Sequence, residues 1–409
     1  MLLNFLHESV TSAPVSRMAL SHARRMRAMA GTALIACAWG CVVAPAADAS
    51  SEQVVWSFGN GTDGAFPYAG LINGGAGTLY GTTSGGGVYG AGTLFSLNLG
   101  TNAETVSWSF GNGADDGQDP YATPIAVKGT LYGTTTAGGT LGSGTVFSFD
   151  QASGAETVLH SFDISDGQEP FYLMKAGDRI YGTTLWGGGY GQGNQNGDVY
   201  VYSLRTGATK VLYAFGGGTD SANPVGALLD VNGKFYGAAS AGGIYGRGTV
   251  YAFNPKTHAE TLLWSFGNGA DGQTPNAGLI DVYGTLYGTT TAGGAYGYGT
   301  VFSLNLQTGA ETVLWSFGNG TDGQDPNKNL TYVNGTLYGT TEFGGAYGDS
   351  GTVYAFNLAT NAETVLWSFG SGSDGQYPSS SLLYLQGTLY GTTIYGGANG
   401  KGTVFSIVP

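Results

Sequence analysis

The chain has 409 residues, 75 of them glycine, with 13% aromatic and only 10% charged side chains. So little charge beside so many aromatics excludes a disordered polar chain and describes packed β-structure. The formal net charge of -13 becomes 10 - 25 = -15 once residues 1–49 are set aside with their four arginines and two acids, which argues against nucleic acid or anionic membrane as a partner.

In chain order, Arg24-Arg25-Met26-Arg27 precede an apolar run that ends in Ala47-Asp48-Ala49, the charged, apolar and small-residue parts of a secretory signal. The expected organisation is a signal peptide over 1–49, with Met18 or Met26 as alternative starts, and one domain over 50–409. Two other readings stay open: Leu34-Ile35-Ala36-Cys37 as a lipoprotein box that lipidates Cys37, and an uncleaved anchor helix, weakened by Pro45. Cys37 and Cys41 are the only cysteines, so cleavage after Ala49 leaves none for a disulfide or a thiolate metal site. The mature chain is expected to be periplasmic or extracellular, monomeric and free of transmembrane helices.

From Glu52 onward one unit recurs seven times. The phrase Gly-Thr-Leu-Tyr-Gly-Thr-Thr, or a variant of it, starts at Gly77, Gly129, Asp178, Gly233, Gly284, Gly335 and Gly387. A phrase like Gly-Thr-Val-Phe-Ser starts at Gly92, Gly144, Gly197, Gly248, Gly299, Gly351 and Gly402. A third, Glu-Thr-Val-Leu-Trp-Ser-Phe, places Trp56, Trp108, His160, Tyr213, Trp264, Trp315 and Trp367 in register. Short runs of Val, Thr and aromatics between Gly, Asn and Asp clusters predict four strands per unit.

In the fifth unit these are A over Ala277–Val282, B over Thr285–Thr290, C over Thr300–Leu304 and D over Glu311–Phe317. Asn232-Gly233 and Asn334-Gly335 suit tight A-to-B hairpins, and Thr308-Gly309 a similar turn between C and D. Strand D is expected to alternate Val313, Trp315 and Phe317 with Thr312, Leu314 and Ser316. The last unit stops after its strand C, whereas Glu52–Phe58 forms an orphan strand D. The fold expected is therefore all-β, a seven-bladed β-propeller of four-stranded blades, its ring closed by the N-terminal strand pairing into the last blade.

The Gly293-Gly294 pair followed by Gly299-Thr300-Val301-Phe302 resembles the Gloeo/Verruco-type tandem repeat of exported bacterial proteins, over residues 52–409. Val301–Trp315 is distantly similar to kelch and quinoprotein blades. The resemblance implies a propeller and export; it implies no reaction, and no quinone site can be placed.

In such a propeller the D-to-A and B-to-C loops share one face, where a ligand is expected. The D-to-A loops carry Asp63, Asp116, Asp166, Asp220, Asp271, Asp322 and Asp374, each four residues before a proline. Either they hold their own turns, the reading preferred, or they form a carboxylate ring that attracts Ca²⁺, although one Asp per loop falls short of a calcium ligand set. The B-to-C loops carry Tyr89, Tyr190, Tyr245, Tyr296 and Tyr347 among glycines, suited to stacking on sugars or anchoring a protein, or else to packing on the next loop.

The third unit departs most, with His160, Glu169, Phe171 and Trp186; Trp186, Tyr190 and Glu169 are accordingly candidate ligand residues, or marks of drift. Only His160 and His258 follow the leader, which leaves no room for a Ser-His-Asp triad or a multi-histidine zinc site. The glutamates that open strand D look like edge residues, and Glu169 and Glu342 sit three blades apart. The function expected is non-catalytic binding of a glycan or protein, with no metal and no cofactor beyond a weak case for Ca²⁺. A carbohydrate-active hydrolase or lyase and a structural surface protein are the alternatives.

Overall fold

The computed structural model describes residues 51–188, 196–216 and 219–409, and every regular element among them is a β-strand. The leader, with Cys37 and Cys41, and Tyr190 lie outside the described residues. Seven antiparallel sheets follow one another, built on strands B at Thr78–Thr83, Thr130–Thr135, Arg179–Trp186, Lys234–Gly242, Thr285–Gly293, Thr336–Thr341 and Thr388–Gly396, which number blades 1 to 7. Each sheet runs A-B-C-D, and the strands A of neighbouring blades touch, as where Gly70 N donates to Thr123 Oγ1 at 2.8 Å, so A lines the axis and D the rim. The N-terminal strand Glu52–Ser57 pairs antiparallel with Thr403–Ile407 and completes blade 7.

The blades cohere through one repeated contact. The phenylalanine ending each strand D meets the aromatic ring in strand C of the next blade edge to face, as in Phe58–Phe95, Phe266–Phe302 and Phe369–Phe405, each at 5.0 Å between centroids. All three pairs are fully buried, in the geometry the ring quadrupoles favour. That ring needs space in strand B, and glycine supplies it: a Cβ on Gly133 would stand 2.4 Å from Phe147 Cζ. Gly133→Ala is expected to cost about 1–3 kcal/mol, the usual penalty of overpacking, read as a lower Tm by calorimetry. An unchanged Tm would mean that the blade gives way without cost.

The expected hairpins form with positive φ at both turn residues, 56° and 80° at Asn232-Gly233 and 48° and 88° at Asn334-Gly335. Three local expectations change. Strand A of blade 5 is two pieces, Gly272–Pro275 and Ile280–Val282; between them Gly278 N donates to Asn329 Oδ1 of the next blade at 2.6 Å rather than to its own sheet. The Thr308-Gly309 turn has positive φ only at Gly309 (71°), because Asn305 Oδ1 accepts from both Gln307 N and Thr308 N at 2.9 Å. Strand D does not alternate simply. Trp315 opposes Val301 while Val313 opposes Phe302, so Leu314 is the extra residue of a β-bulge, repeated in every blade.

Candidate functional site

The D-to-A and B-to-C loops meet on one face and are tied together there. In each D-to-A loop the residue before the proline has φ between 52° and 60°: Phe66, Asp119, Glu169, Asn223, Thr274, Asp325 and Tyr377. Side chains as bulky or branched as Phe66, Thr274 and Tyr377 rarely adopt this conformation, and a following proline normally favours extended backbone. What holds it is a bond across the blade boundary. The N–H of each of these residues donates to a B-to-C carbonyl of the preceding blade at 2.7–3.1 Å, as Phe66 N does to Lys401 O and Thr274 N to Arg247 O. Seven side chains of six types thus stand on one repeated backbone around the mouth of the axis.

On one side of that mouth the side chains form an aromatic arc. Phe343, Tyr377, Tyr395 and Phe66 follow one another with centroids 5.6, 5.9 and 5.4 Å apart. Tyr68 and Tyr121 lie 4.5 Å apart, and Tyr121 continues to Phe171 at 6.4 Å. Tyr395 lies near both Tyr68 and Tyr121, which brings the two groups together. Burial first, and then neighbouring groups, push the Tyr68 and Tyr121 hydroxyls well above the usual phenol range. Acids accompany the rings. Burial raises Asp119 to about 6, and Glu342, only 3% exposed, accepts a hydrogen bond from Asn327 Nδ2. The mouth is a half-buried acidic and aromatic surface, the kind on which a ring-shaped polar ligand stacks.

The residues singled out from sequence fall around it in two zones. Glu169 is one of the seven mouth residues, and half-buried Trp186 ends strand B of blade 3, opposite Gln168. Tyr89, Tyr245, Tyr296 and Tyr347 are 51%, 47%, 49% and 39% exposed on the rim, one per blade, and the fold does not gather them together. Each loop aspartate accepts a backbone N–H from three or four residues earlier in its own turn at 2.8–3.0 Å: Asp63 from Gly59, Asp116 from Asn112, Asp166 from Asp163, Asp220 from Gly216, Asp271 from Gly267, Asp322 from Gly318 and Asp374 from Gly370.

Several of these aspartates are also reached by the aromatic side chain of the preceding strand D, at the other oxygen in Asp166 and Asp374 and at the same Oδ2 in Asp220. Trp367 Nε1 donates to Asp374 at 3.3 Å, the Tyr213 hydroxyl donates to Asp220 at 3.0 Å, and His160 Nε2 lies 2.8 Å from Asp166.

The glutamates are not edge residues. Glu52, Glu104, Glu156, Glu311 and Glu363 each keep Oε1 buried with no hydrogen-bond partner, while the Glu260 carboxylate accepts from Ser221 Oγ at 3.0 Å. Each lies within electrostatic reach of one loop aspartate, Glu104 of Asp63 and Glu363 of Asp322 for example. Burial, then that aspartate, raises Glu52, Glu104, Glu260 and Glu311 to about 7 and Glu156 and Glu363 to about 8. Blade 3 has Thr209 in place of this glutamate, and a carboxylate returns from strand C. Fully buried Asp198, standing where the other blades have threonine, is raised to about 7 by burial and then by Asp166. Every blade therefore holds one buried acid couple. Among the described residues no three Asp, Glu, His or Cys side chains converge as metal ligands would.

Sequence reasoning missed the mouth. The signal was present in the Gly-Gln-x-Pro form of five of the seven loops, where x is Asp119, Glu169, Thr274, Asp325 or Tyr377 between neighbours that repeat.

Solved structures share this architecture at low identity. The chain aligns over 87% of its length and 93% of the other chain with oligogalacturonate lyase from Vibrio parahaemolyticus, at 10% identity and a TM-score of 0.53. An oligogalacturonate lyase in complex with manganese aligns over 84% and 89%, at 12% identity and 0.52. With the extracellular domain of a one-component system from B. thetaiotaomicron the values are 86%, 10% and 0.57, and there the chain spans 40% of its neighbour. Such likeness shows the fold alone. No curated protein matches the sequence. The Gloeobacter/Verrucomicrobia repeat matches residues 31–194 and again 191–405, and with seven blades built on that unit the chain belongs to the Gloeobacter/Verrucomicrobia repeat family.

Proposed function

We propose that the protein is exported by its residues 1–49 and binds a glycan at the mouth of the propeller without catalysis. The observation that carries this reading is the aromatic arc Phe343–Tyr377–Tyr395–Phe66, continued by Tyr68, Tyr121 and Phe171, beside carboxylates that accept from sugar hydroxyls. Ring faces take the C–H side of a pyranose, and the strained backbone beneath them keeps the rings in place before the ligand arrives. The loop aspartates serve their own turns in this reading. It needs no metal, and no helix among the described residues is long and apolar enough to cross a membrane.

A second reading, a carbohydrate-active lyase or hydrolase, draws on Asp119. Raised to about 6 beside Tyr121, it is a group that both gives and takes a proton near neutrality. Two fold neighbours are oligogalacturonate lyases, one of them with manganese. Against a metal-dependent version, the propeller region contains only His160, bonded to Asp166, and His258, in a C-to-D turn.

A glycan array probed with residues 50–409, with and without Ca²⁺, tests the first reading. Binding is expected, independent of Ca²⁺ and weakened at least about tenfold by Tyr395→Ala or Tyr121→Ala, the usual cost of truncating an aromatic anchor. A silent array overturns it, and shortened oligosaccharide products would move the assignment to the second reading.

A further inference from the structure

At the end of strand B one acid of the mouth breaks the repeat. Blades 1, 2, 4 and 5 carry Ser84, Thr136, Ser240 and Thr291 there, and each hydroxyl donates to the carbonyl of the residue before the proline at 3.0–3.2 Å. Blades 3 and 7 have Leu185 and Ile394, and blade 6 has Glu342. The main chain of Glu342 still ties the turn, its N–H donating to Asp325 O at 3.1 Å, so the turn makes no use of the carboxylate. That carboxylate accepts from Asn327 Nδ2 and lies near Tyr68, Tyr377 and Tyr395. Other acids stand beside the same rings, Asp119 near Tyr121 and Asp349 near Tyr377. Glu342 is too covered to touch a ligand, but a charge at a water-poor site is weakly screened and reaches the rings above it.

Rings over buried negative charge are a surface for a cation, because the ring faces are themselves electron-rich. The protein already uses the arc in this way: the Lys401 ammonium lies over Phe66, 4.7 Å from its centroid. Tyr377 and Tyr395, the two rings before Phe66 in the arc, are partly exposed, and among the described residues no side-chain cation is placed over them. The bases near these loops are fewer than the acids: Lys401 in blade 7, Lys328 in blade 6 and Arg247 across the mouth in blade 4.

We propose that the glycan taken at the mouth carries free amino groups, the ammonium of a 2-amino sugar resting on Tyr377 and Tyr395 in the field of Glu342, Asp119 and Asp349. This rests on the glycan reading of the same mouth and narrows it to a cationic sugar. Acetylation of the amine removes the charge that the site reads, and the same field turns away uronic acids.

The test is calorimetric titration of residues 50–409 with the hexasaccharides of glucosamine and of N-acetylglucosamine, at about pH 6.5, where an amine of this kind is mostly charged. The glucosamine form is expected to bind at least about tenfold more tightly, and to lose at least about tenfold in Tyr395→Ala. Glu342→Gln and Asp119→Asn keep side-chain shape, and each is expected to narrow the gap between the two sugars about threefold or more. Asp178→Asn removes the same charge from an exposed turn on the opposite face, and is expected to change nothing. Equal affinity for the two hexasaccharides, or a preference that Asp178→Asn reduces as much as Glu342→Gln does, overturns the cationic ligand. A hexalysine peptide bound as tightly as the glucosamine hexasaccharide overturns the sugar and leaves a site for a basic protein. An array signal on neutral or acidic glycans that depends on Tyr395, with no preference for the amine, overturns this inference and leaves the mouth a glycan site. No glycan bound in either experiment overturns both.

Discussion

A chain that starts at Gly59, and so lacks the strand Glu52–Ser57 with Phe58, is expected to lose its cooperative thermal transition or to melt about 10 °C or more below the full domain. The closing strand contributes the outer ladder of blade 7, in register from Glu52 opposite Ile407 to Ser57 opposite Thr403. It also carries Phe58, fully buried against Phe95 of blade 1. Losing a buried phenylalanine alone costs about 3–5 kcal/mol, and truncation adds an unpaired edge along Thr403–Ile407 that invites association between chains. Scanning calorimetry and size exclusion read both effects. A synthetic peptide of residues 51–58, added in excess, is expected to restore the transition by strand addition, as unpaired edges commonly accept. A truncated chain with an unchanged Tm would show that the ring does not depend on its closure.

The second large effect is on pH. Seven carboxyls, fully buried Asp198 and half-buried Glu52, Glu104, Glu156, Glu260, Glu311 and Glu363, sit at about 7 to 8 in the fold. Their ordinary values are 4.5 for glutamate and 3.8 for aspartate. Between those limits the folded state binds more protons than the unfolded one, so stability falls as pH rises. The contribution is complete below about pH 4.5 and gone above about pH 8, the reverse of an acid-labile protein whose carboxylates are ion-paired. Discounted for the part of each group that solvent screens, about 0.5 kcal/mol per couple is reasonable, or roughly 3.5 kcal/mol for the ring. That corresponds to a Tm about 5 °C higher at pH 5 than at pH 8.5. Glu363→Gln keeps the neutral shape of the acid, and it is expected to raise stability at pH 8.5 and flatten the profile. A Tm that climbs with pH over this range would contradict the couples as buried acids.

The fold was legible because every layer of the repeat carries a local signal. Asn-Gly marks hairpins, Gly-Thr-Val-Phe marks strand C, and the missing last strand D matched the orphan at the start. The bulge at Leu314 and its counterparts was not legible, because one extra residue in an apolar run of Val, Leu and Trp leaves the composition unchanged. The broken strand A of blade 5 escaped for another reason: its Gly278 bonds to Asn329, 51 residues away, and no local pattern announces a bond between blades.

For the site, the loop face followed from strand order, but the mouth did not. Tyrosines framed by glycine stand out in the sequence, but the fold distributes them singly around the rim, whereas Tyr68, Tyr121, Tyr377 and Tyr395 are separated by up to 327 residues in sequence (395 - 68 = 327) and meet because the ring closes. The glutamates misled because a strand end looks exposed in sequence, and the neighbouring blade that covers it belongs to another repeat.

The fixed backbone of the residues that precede the prolines has a consequence for how such proteins diversify. Phe66, Asp119, Glu169, Asn223, Thr274, Asp325 and Tyr377 already include aromatic, acidic, amide and hydroxyl side chains at φ of 52–60°, and the bond that imposes this conformation uses only main-chain atoms. Each position is therefore a socket where the side chain differs while the main-chain bond beneath it is the same. Seven sockets drawn from even four side-chain classes allow thousands of mouths on one scaffold. A library randomised at these seven positions would sample that range directly.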